Sequence, residues 1–164
     1  MKLCAAEEYG IRCLLQVAQA PGSFLTIHEI ARREDLSAPY VAKLMRVLLK
    51  GGFVRSIRGL KGGYELTQPP QRISVASILN VLGKRIFVPD FCECYTGIAR
   101  ACRHKVHCSL RQLWMAIDNM VQSALTRTML SDLLCTESEM ESWVRQHIMA
   151  RIAGIELPAH EGHA

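Results

Sequence analysis

No apolar run in this sequence approaches the roughly 18 residues that cross a bilayer, so a membrane partner is not expected. An export signal is also not expected, because MKLCAAEEYG places Glu7 and Glu8 where a signal peptide needs its apolar core. A cytoplasmic location is the expectation. The sequence has no internal repeat, no phosphate-cradling glycine loop and no acid partner for a nucleophile–base pair. Cys108 beside His107 is the nearest approach to a thiol catalyst, yet adjacent residues rarely direct their side chains together. An enzyme is therefore not expected.

Cysteine is what the chain does contain, with seven residues in 164. An odd number without an export signal argues against a disulfide framework and for metal or redox use. Cys4, Cys13 and Cys135 are dispersed and read as small, semi-buried apolar residues. The other four crowd into FCECYTGIARACRHKVHC, Phe91 to Cys108, together with His104 and His107. Taken alone, that stretch fits a zinc site, an iron site or a thiol switch.

Charge is unevenly placed. Residues 1–72 hold 11 Lys+Arg against 6 Asp+Glu, whereas residues 73–164 hold 9 of each. The whole net charge of +5 therefore lies in the first part, which favours a polyanionic partner there.

Periodicity and capping signals predict a helix over residues 5–19, closed by Pro21 and Gly22. Thr26 with Glu29 forms a capping box before IHEIARRE. Ser37 opens a third helix that stops at Gly51-Gly52. The runs 53–57 and 63–67 flank a glycine-containing turn and predict a hairpin. Such an order describes a winged helix-turn-helix, so the fold class is mainly α with a small β-hairpin wing. Ser74 starts a further short helix, and residues 83–108 read as a long loop that needs something functional to order it. Ser109 caps a predicted helix of about 26 residues, roughly 39 Å long, whose apolar stripe runs from Leu110 to Leu125. That stripe is longer than so small a domain covers, which favours a dimerisation helix. Thr136 with Glu139 starts a last helix ending near Ile152. The expected division is 1–82 for DNA binding, 83–108 for the cysteine-rich loop, 109–152 for the dimerisation and C-terminal helices, and 153–164 for a mobile tail.

On the third helix, Val41, Leu44, Met45 and Leu48 share one face, and Pro39, Lys43, Arg46 and Lys50 the opposite one. For an isolated helix those cations would be an ordinary solvated surface. Here they follow a helix-turn and precede a hairpin carrying Arg55, Arg58 and Lys61, which makes one basic surface suited to double-stranded DNA. Ser37, Ala38, Pro39 and Tyr40 are expected in the major groove at the leading end of the helix. Lys43, Arg46 and Lys50 are expected to meet phosphates, which set affinity without reading sequence. Arg58 at the wing tip is the candidate for the minor groove, and the glycines around Lys61 allow close backbone approach.

The opening MKL…EYGIRCLL, the segment SAPYVAKLMRVLLKGGFV, the wing RGLKGGYEL and a cysteine loop before a long helix resemble the IscR/NsrR family of iron–sulfur transcription regulators. The resemblance covers roughly residues 1–135. It implies a winged-helix homodimer with crossed long helices that binds a DNA operator, acting as a repressor. It also implies a cluster that senses redox state, nitric oxide or iron and cluster supply. Family spacing assigns Cys94, Cys102 and Cys108 as ligands and leaves Cys92 as a spare. Phe87, Val88, Phe91 and Ile98 then form an apolar lid, and Arg100, Arg103 and Lys105 offset thiolate charge.

The fourth ligand implied by some relatives is an acidic residue of the first helix of the other subunit, and Glu8 stands there. Its plain alternative is an ion pair with Arg12 four residues on. Other relatives use a histidine just after the third cysteine, a neighbourhood that holds Arg111 here. Glu8 ranks first, then His107, then Cys92. Whether the cluster is 2Fe–2S or 4Fe–4S stays open. The competing expectation is a winged-helix regulator whose cysteines switch by oxidation or bind zinc, with His104 or His107 completing the site.

Overall fold

A computed structural model describes residues 4–20, 22, 24–59, 62–83, 102, 104 and 107–150. Helix α1 (Ala5–Ala18) buries Gly10, Cys13, Leu14, Val17 and Ala18, a stripe repeating at three and four residues. Its start is fixed by the Glu7 carboxylate, which accepts the Cys4 N–H at 2.7 Å. Gln19 ends the helix, and Pro21 lies outside the described residues.

Helix α2 (Ile27–Glu34) opens as expected. Thr26 Oγ1 accepts the Glu29 N–H at 3.2 Å, and the Glu29 carboxylate accepts the Thr26 N–H at 2.8 Å. Asp35 then takes a left-handed conformation, φ 52°, which stops α2 and turns the chain within three residues into α3 (Ala38–Lys50). Ser37 occupies the cap position of α3 but makes no side-chain capping bond there. Val41, Leu44, Met45 and Leu48 are all buried, as their period predicts.

Strands β1 (Val54–Ile57) and β2 (Gly63–Leu66) form an antiparallel hairpin that pairs Arg55 with Glu65 and Ser56 with Tyr64. Tyr64 also exchanges two main-chain bonds with Leu25, at 2.8 and 3.0 Å, which ties the wing to the entry of α2. A β-carbon on Gly63 would stand 2.7 Å from the Leu25 carbonyl oxygen, so this contact requires glycine.

A short turn of 3₁₀ helix (Pro70–Arg72) leads to α4 (Val75–Leu82), capped by Ser74 Oγ. The cysteine loop follows, and of its members Cys102, His104, His107 and Cys108 are described. Helix α5 (Ser109–Arg127) is capped by Cys108 rather than Ser109, because Cys108 Sγ accepts the Arg111 N–H at 3.4 Å.

Helix α5 is also shorter than its sequence pattern suggests. Its 19 residues span about 28 Å instead of continuing to Leu134. Thr126 and Thr128 donate their hydroxyls to the carbonyls of Gln122 and Ala124, a back-bonding that weakens the last turn. Thr128 then turns extended, and Met129 forms a bridge with Ser74. Two main-chain bonds, Val75 N–H to Thr128 O and Leu130 N–H to Ile73 O, stitch the chain back to the winged-helix unit. Leu130 is thereby fully buried beside residues of α1 to α4.

After a 3₁₀ turn (Leu130–Leu133), the Thr136–Glu139 capping box starts α6 (Glu137–Val144) as expected. A π-helical turn (Arg145–Met149) continues it, and Ile152 lies outside the described residues.

Leu130 contributes to the same core as Leu14, Ile30, Leu48, Ile73 and Ile78. Leu130→Ala is expected to lower unfolding free energy by about 2–5 kcal/mol, the cost of a cavity in a closed core. Urea denaturation checks this against Thr126→Ala, which removes an exposed side chain and changes stability far less.

Candidate nucleic-acid interface and cysteine loop

Burial of one α3 face decides what the other presents. Pro39, Lys43, Arg46 and Lys50 are all exposed, and among the described residues no ion pair neutralises these cations. Ser37 is exposed at the leading end, with Ala38 and Tyr40 half-buried. The Tyr40 ring meets Tyr9 of α1 edge-on at 6.1 Å, so part of Tyr40 serves to pack α3 against α1. A groove of about 670 Å³ separates the start of α3 from the wing and is lined by His28, Pro39, Ala42, Ser56 and Tyr64 among others.

In the wing, Arg58 is exposed beside Gly59, whose φ of 124° suits glycine. Arg55 is less available than the sequence suggests, since its Nε donates to Glu65 at 2.7 Å across the hairpin. Lys61 lies outside the described residues.

A polar seam joins this interface to α1, and sequence reasoning missed it. The Glu34 carboxylate, only 8% exposed, accepts from Arg12 Nε at 2.6 Å and from Gln16 Nε2 at 2.5 Å. Arg12 also lies over the Tyr9 ring at 5.4 Å. The hydrogen bond to Glu34 is the main cause of a raised Arg12 pKa, with Glu34's charge next and Glu8's smaller. The alternative Glu8–Arg12 ion pair is not formed among the described residues, because Arg12 is engaged by the buried Glu34 carboxylate. Glu8 stands exposed on the first turns of α1, and Glu7, not Glu8, closes the helix start.

In the loop, Cys102 and Cys108 are half-buried, and His104 and His107 are exposed. Arg111 Nη2 donates to the His104 carbonyl at 3.0 Å. Cys94, Cys92, the apolar residues Phe87, Val88, Phe91 and Ile98, and the cations Arg100, Arg103 and Lys105 lie outside the described residues. Among the described residues, no three or more His, Cys, Asp or Glu side chains come together to hold a metal.

The dispersed cysteines divide. Cys13 is fully buried, and burial above all pushes its thiol pKa up to about 12. Cys4 and Cys135 are exposed rather than semi-buried. Cys4 sits at the cap of α1, and Cys135 Sγ donates to the Asp132 carbonyl at 2.9 Å. These roles at helix and turn ends explain their exposure.

Helix α5 packs on α4 but leaves Leu110, Leu113, Trp114, Met115 and Met120 exposed. Among the described residues no helix is long and apolar enough to cross a membrane.

A packed helix-turn-helix with a cationic outer face and a two-stranded wing defines a winged-helix DNA-binding regulator of transcription. The chain belongs to the Rrf2 family, described as an iron-dependent transcriptional regulator, whose model matches residues 4–136. It is 30% identical over 146 residues to the transcriptional regulator CymR of Bacillus subtilis, covering 88% of this chain and 98% of that one. The solved structure of CymR, the global cysteine regulator of B. subtilis, superposes with a TM-score of 0.66 over 82% of this chain and 96% of that chain, at 28% identity. Identity to the regulator IscR of Aliivibrio salmonicida is 27% over 153 residues, covering 93% of this chain and 88% of that one. The structure of T. potens IscR gives a TM-score of 0.65 at 27% identity, over 82% and 86% of the two chains. The relatives are regulators of transcription, and this protein is likewise a regulator and not an enzyme.

The raised Cys13 pKa carries a sign. The unfolded thiol ionises near pH 9 and the folded one near 12, so the folded state holds its proton longer. This contribution to stability is present below pH 9 and is lost as pH rises towards 12. At pH 8 in native buffer, Cys13 should resist iodoacetamide while Cys4 and Cys135 react. Peptide mass mapping with and without denaturant checks this.

Proposed function

We propose that the protein is a cytoplasmic, homodimeric repressor whose affinity for a double-stranded DNA operator is set by an iron–sulfur cluster on the loop before α5. The observation that carries this reading is the uncompensated cationic face of α3, on a helix-turn-helix followed along the chain by the half-buried Cys102 and Cys108. Membership of a family described as iron-dependent supports iron as the metal.

In this reading Ser37, Ala38, Pro39 and Tyr40 enter the major groove, and Lys43, Arg46 and Lys50 meet phosphates. Arg58 enters the minor groove, and Lys61 supports the wing. Cys94, Cys102 and Cys108 hold the cluster as soft thiolates, which suit iron. Glu8 of the second subunit is the fourth ligand, with His107 and Cys92 in reserve. Its exposed side chain, which makes no hydrogen bond among the described residues, leaves Glu8 available to a second copy. When bound, the cluster supplies an iron that responds to redox state, nitric oxide or cluster supply. Glu8 belongs to the same helix as Tyr9 and Arg12, so its engagement bears directly on the seam that seats α3. Exposed Leu110, Leu113, Trp114, Met115 and Met120 give α5 the apolar surface for the homodimer.

A second reading is favoured by the similarity to CymR, named a cysteine regulator: the loop cysteines act as a thiol switch, or bind zinc, and no cluster forms.

Anaerobic purification followed by a visible spectrum with iron and sulfide assays separates the two. The cluster reading expects a coloured protein with both elements, and Glu8→Ala is expected to shorten cluster lifetime. A colourless protein with stoichiometric zinc, or with no metal, favours the second reading. For the interface, Lys43→Ala or Arg46→Ala should lower the salt-dependence slope of operator binding by about 1, equally across sequences. Arg58→Ala should weaken binding to the operator, and an unchanged affinity would refute the wing assignment.

A further inference from the structure

We infer that Arg111 is a positioning residue for the ligand Cys108, tying it to the His104 main chain; this rests on the cluster reading above. Arg111 is half-buried in the first turn of α5 and contacts two described residues of the loop. Its main-chain N–H donates to Cys108 Sγ at 3.4 Å, and its guanidinium Nη2 donates to the His104 carbonyl at 3.0 Å. Residues 104 and 108 are thus tied through a single side chain and its own amide.

The two contacts differ in what they do. The N–H bond to sulfur strengthens when the thiol becomes a thiolate, since a charged acceptor makes the stronger bond. The guanidinium bond instead fixes the main chain at His104, because it grips a carbonyl and is indifferent to the identity of that side chain. A guanidinium offers only N–H donors and no acceptor, so it supports a ligand without becoming one. Its Nε is shielded from solvent, which a surface arginine free to move in water would not be. Arg111 therefore belongs to the support of the ligand rather than to the solvated face of α5. Supports of this kind govern how long a site keeps its metal.

The test compares full-length protein and its Arg111→Leu, Arg111→Lys and Cys108→Ala variants after anaerobic reconstitution with ferrous iron and sulfide. Visible spectra, iron content and half-life against EDTA are measured, with far-ultraviolet circular dichroism to check folding. Arg111→Leu keeps the amide bond to sulfur but removes the guanidinium. It is expected to lose iron on the order of tenfold faster, with an altered visible band and unchanged helix content. Arg111→Lys, which keeps the cation and a donor, is expected to recover most of that loss. Should Arg111→Leu fail to fold, Arg111→Gln is measured in its place with the same expectation. A wild-type half-life and spectrum in Arg111→Leu, or no gain from lysine over leucine, would overturn the inference and leave the cluster reading standing. Full cluster retention in Cys108→Ala, or a wild-type protein that takes up no iron and sulfide, would overturn both.

Discussion

The seating of Val41, Leu44, Met45 and Leu48 against α1 and α2 is the constraint from which the rest of the molecule follows. Burying each of these side chains contributes about 1.5–3 kcal/mol, whereas exposed ion pairs contribute tenths. Lys43, Arg46 and Lys50 therefore do not choose their own orientation. They point outward because the apolar face of the same helix is held down. The wing follows in turn, since Phe53 and Val54 enter the same core directly after α3 and set where the hairpin departs.

A second layer of control is polar. Glu34 closes α2 as a buried carboxylate, and such a group is costly unless donors surround it. Arg12 and Gln16 supply them from α1, and Arg12 also covers the Tyr9 ring against which Tyr40 stands. The seat of the recognition helix is thus not purely greasy. Directional bonds register α2 against α1, and such bonds tolerate sliding less well than apolar contacts do, while α3 meets α1 through the Tyr9–Tyr40 rings.

What the sequence makes legible divides by distance along the chain. The Thr26–Glu29 and Thr136–Glu139 boxes act within three residues, and both stand where their spacing predicts. The α3 stripe is legible because its period is a property of one helix. The Arg12–Glu34 bond is not legible because the partners lie 22 residues apart, and local spacing offers only Glu8 as an alternative. The length of α5 is misread for a related reason. Leu130 keeps the helical apolar rhythm, yet the main chain of Ile73 claims it for the core. The sequence favours Ser109 over Cys108 as the cap of α5 because serine has the usual capping chemistry, although a sulfur can accept the same N–H. Cys94, Cys92 and Lys61 belong to stretches outside the described residues, so the sequence remains their sole witness.

The stitch between Ser74 and Met129 has a mechanical meaning. Helix α5 is anchored to the winged-helix unit at its far end by paired main-chain bonds, while its near end begins at the cysteine loop. A rod held in this way resists sliding along its axis, so any tilt against α4 pivots about the anchored end. With an arm of about 28 Å, a tilt of about 10° carries its start through about 5 Å, near one helical pitch. Geometry alone therefore gives the far anchor of α5 the character of a fulcrum, placed within the core that carries the DNA-facing helix.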